Sequence, residues 1–175
     1  MRLSLLPLVA LAGSALASGD TISAAIDNIS NATLALNKTI ATWPKTLIGT
    51  LPITTKSTLL LAEIHRGTVV ARDSEPLSLD ETLQVAKATS QLGADVNITL
   101  ETVIAAKPSF DKLLLSPVIL LNLELQRNLS IDFSEAVVSK VPADLQDKAK
   151  ALVQGIDDSF AQAIQKFTKP KGLRG

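Results

Sequence analysis

Five of the chain's six asparagines, Asn28, Asn31, Asn37, Asn97 and Asn128, stand two residues ahead of a Ser or Thr with no Pro between; only Asn122 falls outside the pattern. Asn-x-Ser/Thr is the acceptor for N-linked sugar, and chance placement would give about one such triplet. A glycan is bulky and hydrated, so each acceptor marks a face that must meet water. Other groups able to do chemistry are sparse. His65 is the single His, and no G-x-S-x-G elbow or second His accompanies it, which argues against a triad base or a metal ligand. It is expected at the surface. The adjacent acids Asp80-Glu81 and Asp157-Asp158 read as capping and solvation rather than general acid/base pairs. Gly49, Gly67, Gly93 and Gly155 are isolated, so no phosphate-cradling loop is present. The absence of Cys removes disulfides, thiolate nucleophiles and thiolate metal ligands together. The expectation is a glycoprotein that is not an enzyme and needs no metal or cofactor.

Residues 1–17 read as a secretory leader: Arg2 supplies a short positive start, Leu3 through Ala12 an apolar run, and Ala15-Leu16-Ala17 a cleavage site. That run is too short to span a bilayer. Residues 170–175 form a basic, polar tail, expected to be flexible and without the hydrophobic end of a GPI signal. The product is therefore expected to be released to the cell exterior, with residues 18–169 as its one domain. Lys plus Arg and Asp plus Glu number 17 each, with no long run of one sign. This balance argues against nucleic acid, whose phosphates demand clustered cations, and against steering to anionic membranes. With roughly 158 residues after the leader, a single domain can bury about two thirds of its surface. Stability must then come from a packed core.

Apolar periodicity supplies the elements. Over residues 20–43, Ile22, Ile26, Ile29, Leu36, Ile40 and Trp43 recur at helical spacing with Thr33 filling a gap, and Asn31 and Asn28 lie off that stripe while Asn37 is nearer its edge. Residues 46–71 predict a helix kinked or broken near Pro52. Ser78 and Glu81 form a capping box that opens a helix to about residue 106. Val85, Leu92, Val96, Leu100 and Val103 point inward there; Asp80, Gln84, Lys87, Gln91 and Asp95 point outward, with Asn97 at the border. A turn over residues 108–115 follows. Ser116 then reads as an N-cap and Pro117 as the first residue of a helix to residue 139. That helix is apolar round most of its circumference, apart from a strip holding Glu124, Asn128 and Glu135, which predicts a central position. Pro142 opens a last helix with Leu145, Ala149, Leu152, Ile156, Phe160, Ala163 and Phe167 on one stripe. Strand signals are absent. The fold class expected is all-α, a single bundle of about five amphipathic helices without disulfides.

Hydrophobic residues make up 46% of the chain but aromatics only 3%. Aliphatic walls between helices suit an acyl chain; alternatively, the same stripes could wet an oily surface. The residues offered for such contacts are Leu92, Val96, Leu100, Val103, Val118, Leu121, Leu125, Leu152, Ile156 and Phe160. A structural wall glycoprotein or protein-recruiting module with a filled core is the competing reading.

The stretches PLSLDETL from Pro76, KPSFDKLLLSPVIL from Lys107 and AVVSKVPADL from Ala136 resemble the fungal hydrophobic surface-binding protein A family, which includes cell-wall galactomannoproteins. The likeness is strongest over residues 76–167. It implies a secreted or wall-associated helical bundle without catalytic activity. By that resemblance the partners are fatty acids held between helices or a hydrophobic solid, and a secreted polymer-degrading esterase recruited there.

Overall fold

A computed structural model describes residues 18–168, which form five long helices and no strand. The expected leader at 1–17 and tail at 170–175 lie outside the described residues. The helices are α1 (Ser18–Ala41), α2 (Leu51–Asp73), α3 (Leu79–Lys112), α4 (Ser116–Val138) and α5 (Gln146–Thr168), with short 3₁₀ turns at Ile48–Thr50 and Ala143–Leu145.

The helices close into a ring in the spatial order α1, α2, α4, α5, α3. Parallel neighbours are α1 and α3, shown by the cross-links Gly19 to Glu81, Asp20 to Gln84 and Thr33 to Thr99. The chain therefore runs up, down, up, down, up, and it crosses a mouth of the ring twice, from α2 to α3 and from α3 to α4. At an interaxial spacing of 8–10 Å, a ring of five leaves its axis about 8 Å from each helix, against about 6 Å for a ring of four. That extra width must be filled by inward side chains or stay partly open.

Each helix forms where its apolar stripe demands. The α1 stripe is buried throughout, from Ile22 at 0% exposure to Trp43 just beyond the helix, and Thr33 donates to the Ile29 carbonyl. The five inward residues expected on α3 are all buried. Several boundaries differ from expectation. Pro52 starts α2 instead of kinking it, as suits a residue whose missing N–H costs nothing in a first turn. Pro108 lies inside α3, which continues to Lys112 and shrinks the expected turn to Leu113, Leu114 and Leu115. Ser116 is already helical; its hydroxyl donates to Asp111 at 2.5 Å and caps nothing. Pro142 opens the short turn ahead of α5.

The larger correction concerns α4, which is one wall of the ring and not its centre. Only Leu123, Gln126, Phe133, Ala136, Val137 and Val138 are buried on it. In a closed ring no helix is surrounded, so the greasy outer face of α4 meets solvent. Asp95 errs in the opposite direction. It is buried, accepting from Ser30 of α1 and from Gln91 Nε2 at 3.0 Å.

Two plugs close the mouths. At one end Trp43 stacks on Phe110 with ring centres 4.7 Å apart, and Phe110 tilts against Phe167 at 6.5 Å. At the other, Leu77 is buried under the α2–α3 crossing, and its N–H donates to the Lys140 carbonyl at 2.8 Å. There Glu81 serves two helix starts. Its carboxylate accepts from the Ser78 N–H at 2.8 Å, the Ser78 hydroxyl at 2.7 Å and the Gly19 N–H of α1 at 3.0 Å. A Cβ on Gly19 would lie 2.6 Å from that of Glu81, so α1 approaches this closely only without a side chain. The bond from Ser78, then those from the Gly19 and Ser78 amides, lower the Glu81 pKa from 4.5 to about 2.

A depressed acid stabilises the fold above its unfolded pKa and loses that contribution as pH falls through its folded pKa. Glu81→Gln should therefore melt below the wild type at neutral pH, with the gap constant down to about 4.5 and closing as pH approaches 2. Thermal unfolding followed by circular dichroism checks this; a gap that persists at pH 2 contradicts the shared cap.

Candidate functional site

Three hollows with apolar floors adjoin one another inside and beside the ring. The central one, 40 Å³, is touched by all five helices: Ile29 and Thr33 from α1, Leu60 and Ile64 from α2, Leu92 and Val96 from α3, Phe133 and Val137 from α4, Ile156 and Phe160 from α5. A second, 80 Å³, lies toward the aromatic plug and shares Thr99, Leu100 and Gln126 with the first. The third, 510 Å³, opens to solvent between the later half of α4 and the earlier half of α5. It shares Ser130, Ser134, Val153, Ile156 and Phe160 with the central hollow. Ligand pockets for small molecules run about 300–1,000 Å³, so the groove is of ligand size and the two inner hollows are not.

Polar side chains along this path are mostly neutralised locally. Thr33, Thr89 and Thr99 donate to the carbonyls of Ile29, Val85 and Asp95 four residues earlier, at 2.8, 2.8 and 2.7 Å. Back-bonding of this kind uses up the hydroxyl and leaves the methyl group to face the hollow. Between the central and second hollows sits a linked set: Gln126 Nε2 donates to Ser57 Oγ at 3.2 Å, and Ser57 in turn donates to Asn122. This set ties α2 to α4 across an otherwise aliphatic interior.

The groove has a charged rim. Arg127 of α4 grips Asp157 of α5 with two bonds, Nε to Oδ1 at 2.6 Å and an Nη2 to Oδ2 at 2.9 Å. Both side chains are about one third or less exposed. The bond from Arg127 is the main cause holding the Asp157 carboxyl below its usual range, and the same bond raises Arg127. Lys150 stands on the same rim. Planar, two-pronged pairing fixes the α4–α5 spacing beside the opening more tightly than a single contact would.

The residues offered from sequence divide into three groups. Leu92, Val96, Leu100, Ile156 and Phe160 line the central hollow, and Leu100 and Val103 the second. Val118 is 55% exposed at the margin of the second hollow, and Leu152 is half-buried and lines none of the three. Leu121 at 57% and Leu125 at 45% point out to solvent. They do not face the hollows, and a helix apolar all round gives no wheel-based way to tell its inward face. The buried Gln126 marks that face, and a lone polar residue amid leucines carries no such sign in sequence. The contributions of α1 and α2, with Phe133, were also missed, although the α1 stripe itself pointed to Ile29.

Asn28, Asn31, Asn97 and Asn128 are exposed on outer helix faces, while Asn37 is half-buried with its Oδ1 lacking a hydrogen-bond partner. His65 is exposed on α2. Among the described residues no cluster of His, Asp or Glu could hold a metal ion, and no helix is long and apolar enough to cross a membrane.

The architecture is a closed ring of five aliphatic helices with a ligand-sized groove in one seam. Residues 19–139 match the family described as hydrophobic surface binding protein A, and the chain belongs to that family. It is 26% identical to cell wall mannoprotein 1 of Aspergillus flavus over 95% of its own length, and spans 63% of that relative. Among solved structures it is similar to Afmp4p in complex with palmitic acid, with a TM-score of 0.82 and 23% identity, covering 86% of this chain and 99% of that one. It is also similar to ligand binding domain 1 of the Penicillium marneffei MP1 protein complexed with arachidonic acids, at 0.82 and 20%, covering 87% and 99%. Domain 2 of the same protein, complexed with multiple arachidonic acids, gives 0.80 and 21%, covering 86% and 96%. At these identities the likeness establishes the fold.

The inward and outward assignments make opposite stability predictions. Phe133→Ala should destabilise by about 3–5 kcal/mol, whereas Leu121→Ala should stay within about 0.5 kcal/mol of the wild type. Urea unfolding measures both; comparable losses would place Leu121 in the core.

Proposed function

We propose that this protein binds the acyl chain of a fatty acid or similar lipid between its helices, outside the cell, without chemistry. The observation that carries this reading is the continuity of the path: an open 510 Å³ groove whose apolar floor, Ile156 and Phe160, is also the wall of the central hollow. The occupants of Afmp4p and the MP1 domains support the choice of ligand class. Because the central hollow holds 40 Å³, an acyl chain enters only as α4 and α5 separate and the Leu, Ile and Val side chains around it change rotamer. Each buried methylene returns about 0.8 kcal/mol, which offsets the opening once several have entered. The lipid carboxylate then lies at the rim, beside Arg127 and Lys150. Resemblance to a wall mannoprotein and the exposed acceptor asparagines support a secreted, wall-associated glycoprotein.

Ile156→Trp should obstruct the junction of groove and centre. Losing the burial of two methylenes weakens binding about tenfold. Val69→Trp, on an outer face, should leave affinity unchanged. Titration with a fluorescent fatty acid measures both, and native mass spectrometry of the purified wild type should show co-bound acid. A wild type that stays empty in both assays yet adsorbs to wax supports the filled-core alternative and contradicts the cavity.

A further inference from the structure

The end of the bundle closed by Trp43 and Phe110 carries the three most exposed large apolar side chains of the described residues, Leu114, Ile48 and Leu51, whereas the far end has Leu79 and Leu83. The α1–α2 connection and the start of α2 present Leu47 at 61%, Ile48 at 81% and Leu51 at 66%; the α3–α4 turn and the start of α4 present Leu114 at 84%, Val118 at 55% and Leu121 at 57%. These two connections lie together because α1 and α3 are parallel and their final aromatics stack.

The charge on this end has one sign. No Asp or Glu occurs in residues 42–62 or 112–123, which carry Lys45, Lys56 and Lys112, and Lys166 is exposed near the end of α5. The acid at hand, Asp111, is held by Lys107 at 2.8 and 2.9 Å. At the far end the exposed acids Asp20, Asp73, Glu75, Asp80 and Asp144 outnumber the exposed cations Arg72 and Lys148. Even overall charge thus conceals a bundle that is basic at one pole and rich in acids at the other, which the whole-chain balance could not show.

Backbone strain falls at the same pole. Lys45 and Leu114 have φ of 58° and 59°, the only positive values among the described non-glycine residues. The left-handed region favours Gly or Asn, and a bulky side chain there costs stability. Both strained residues are exposed, one an apolar tip and the other a cation. At Leu114 the left-handed turn is the capping motif that ends α3, with the Leu115 N–H on the Phe110 carbonyl at 2.9 Å and the Leu114 N–H on the Asp111 carbonyl at 3.1 Å; Gly suits that position, and the leucine there instead turns an apolar side chain outward.

We infer that this pole is a docking surface for an anionic lipid bilayer, with the leucines and Ile48 entering the headgroup layer and the lysines meeting its negative charge. Apolar tips supply insertion, and each Lys near such a surface strengthens binding about fivefold, an effect lost at high salt. No glycan acceptor lies in either connection; Asn37, about one turn before the end of α1, is half-buried. This goes beyond the acyl-binding reading and does not need the hollows.

Flotation with phosphatidylcholine vesicles, with and without phosphatidylserine, tests it on the intact protein. The wild type should bind phosphatidylserine vesicles at least about tenfold more tightly than neutral ones, and high salt should abolish the difference. Lys45→Glu with Lys112→Glu, and separately Ile48→Asp, should each reduce binding about tenfold. Leu114→Gly is the decisive variant: it relieves the strain, so its melting temperature should hold or rise while vesicle binding falls. Fatty-acid titration of the same variants should match the wild type, which separates this surface from the hollows. Equal binding to both vesicles, binding to neither, or a Leu114→Gly variant that binds like the wild type overturns the proposal.

Discussion

The rest of this structure depends on one packing constraint: five aliphatic helices must enclose an axis too far from each of them to be filled by ordinary leucine packing alone. A ring of four could close dry. A ring of five needs its inward side chains to reach further, and here Phe133 and Phe160 extend to the centre from opposite seam helices. The centre is nearly filled in this structure, but by branched, rotatable groups with few directional bonds. Such an interior is tight at rest and inexpensive to rearrange. Polar pairs are placed where rearrangement would be harmful: Ser30 with Asp95 between α1 and α3, and the Ser57, Asn122 and Gln126 set between α2 and α4.

The α4–α5 seam is different. Its visible polar tie is the ion pair of Arg127 with Asp157, partly exposed and so worth at most about 1 kcal/mol in water. Beyond that pair, toward the acidic pole, Leu145 in the turn ahead of α5 and Ala149 and Leu152 within it are only half-buried. The wall that carries the groove is therefore tied, in its polar contacts, by a partly exposed ion pair. A bundle without cysteines places no covalent restriction on that seam.

Much of the fold was legible in sequence. The α1 stripe, the Ser78 and Glu81 box and the α3 stripe each carry a strong local signal, and each sits where periodicity placed it. What was lost were cases where one local rule has two outcomes. Pro52 could break a helix or begin one, and Pro108 could end α3 or be absorbed by it. Asp95 lies on the polar side of a wheel drawn for an isolated helix, yet a neighbour packed at that angle buries it against Ser30. Of the site, the α3 and late α5 residues were legible because amphipathic contrast identifies their inward faces. The α4 residues were not, since a helix greasy on all sides has no contrast to read, and the groove is a property of helix separation that no single segment encodes.

On the proposed reading, lipid reaches the middle of the ring through the α4–α5 seam. A crystal of the protein grown with a fatty acid brominated at its methyl terminus would locate that terminus by anomalous scattering. Bromine is expected between Phe133 and Ile156, with the α4–α5 gap widened and the carboxylate near Arg127. Bromine found only on the outer surface, with the interior packed as it is without ligand, would contradict it.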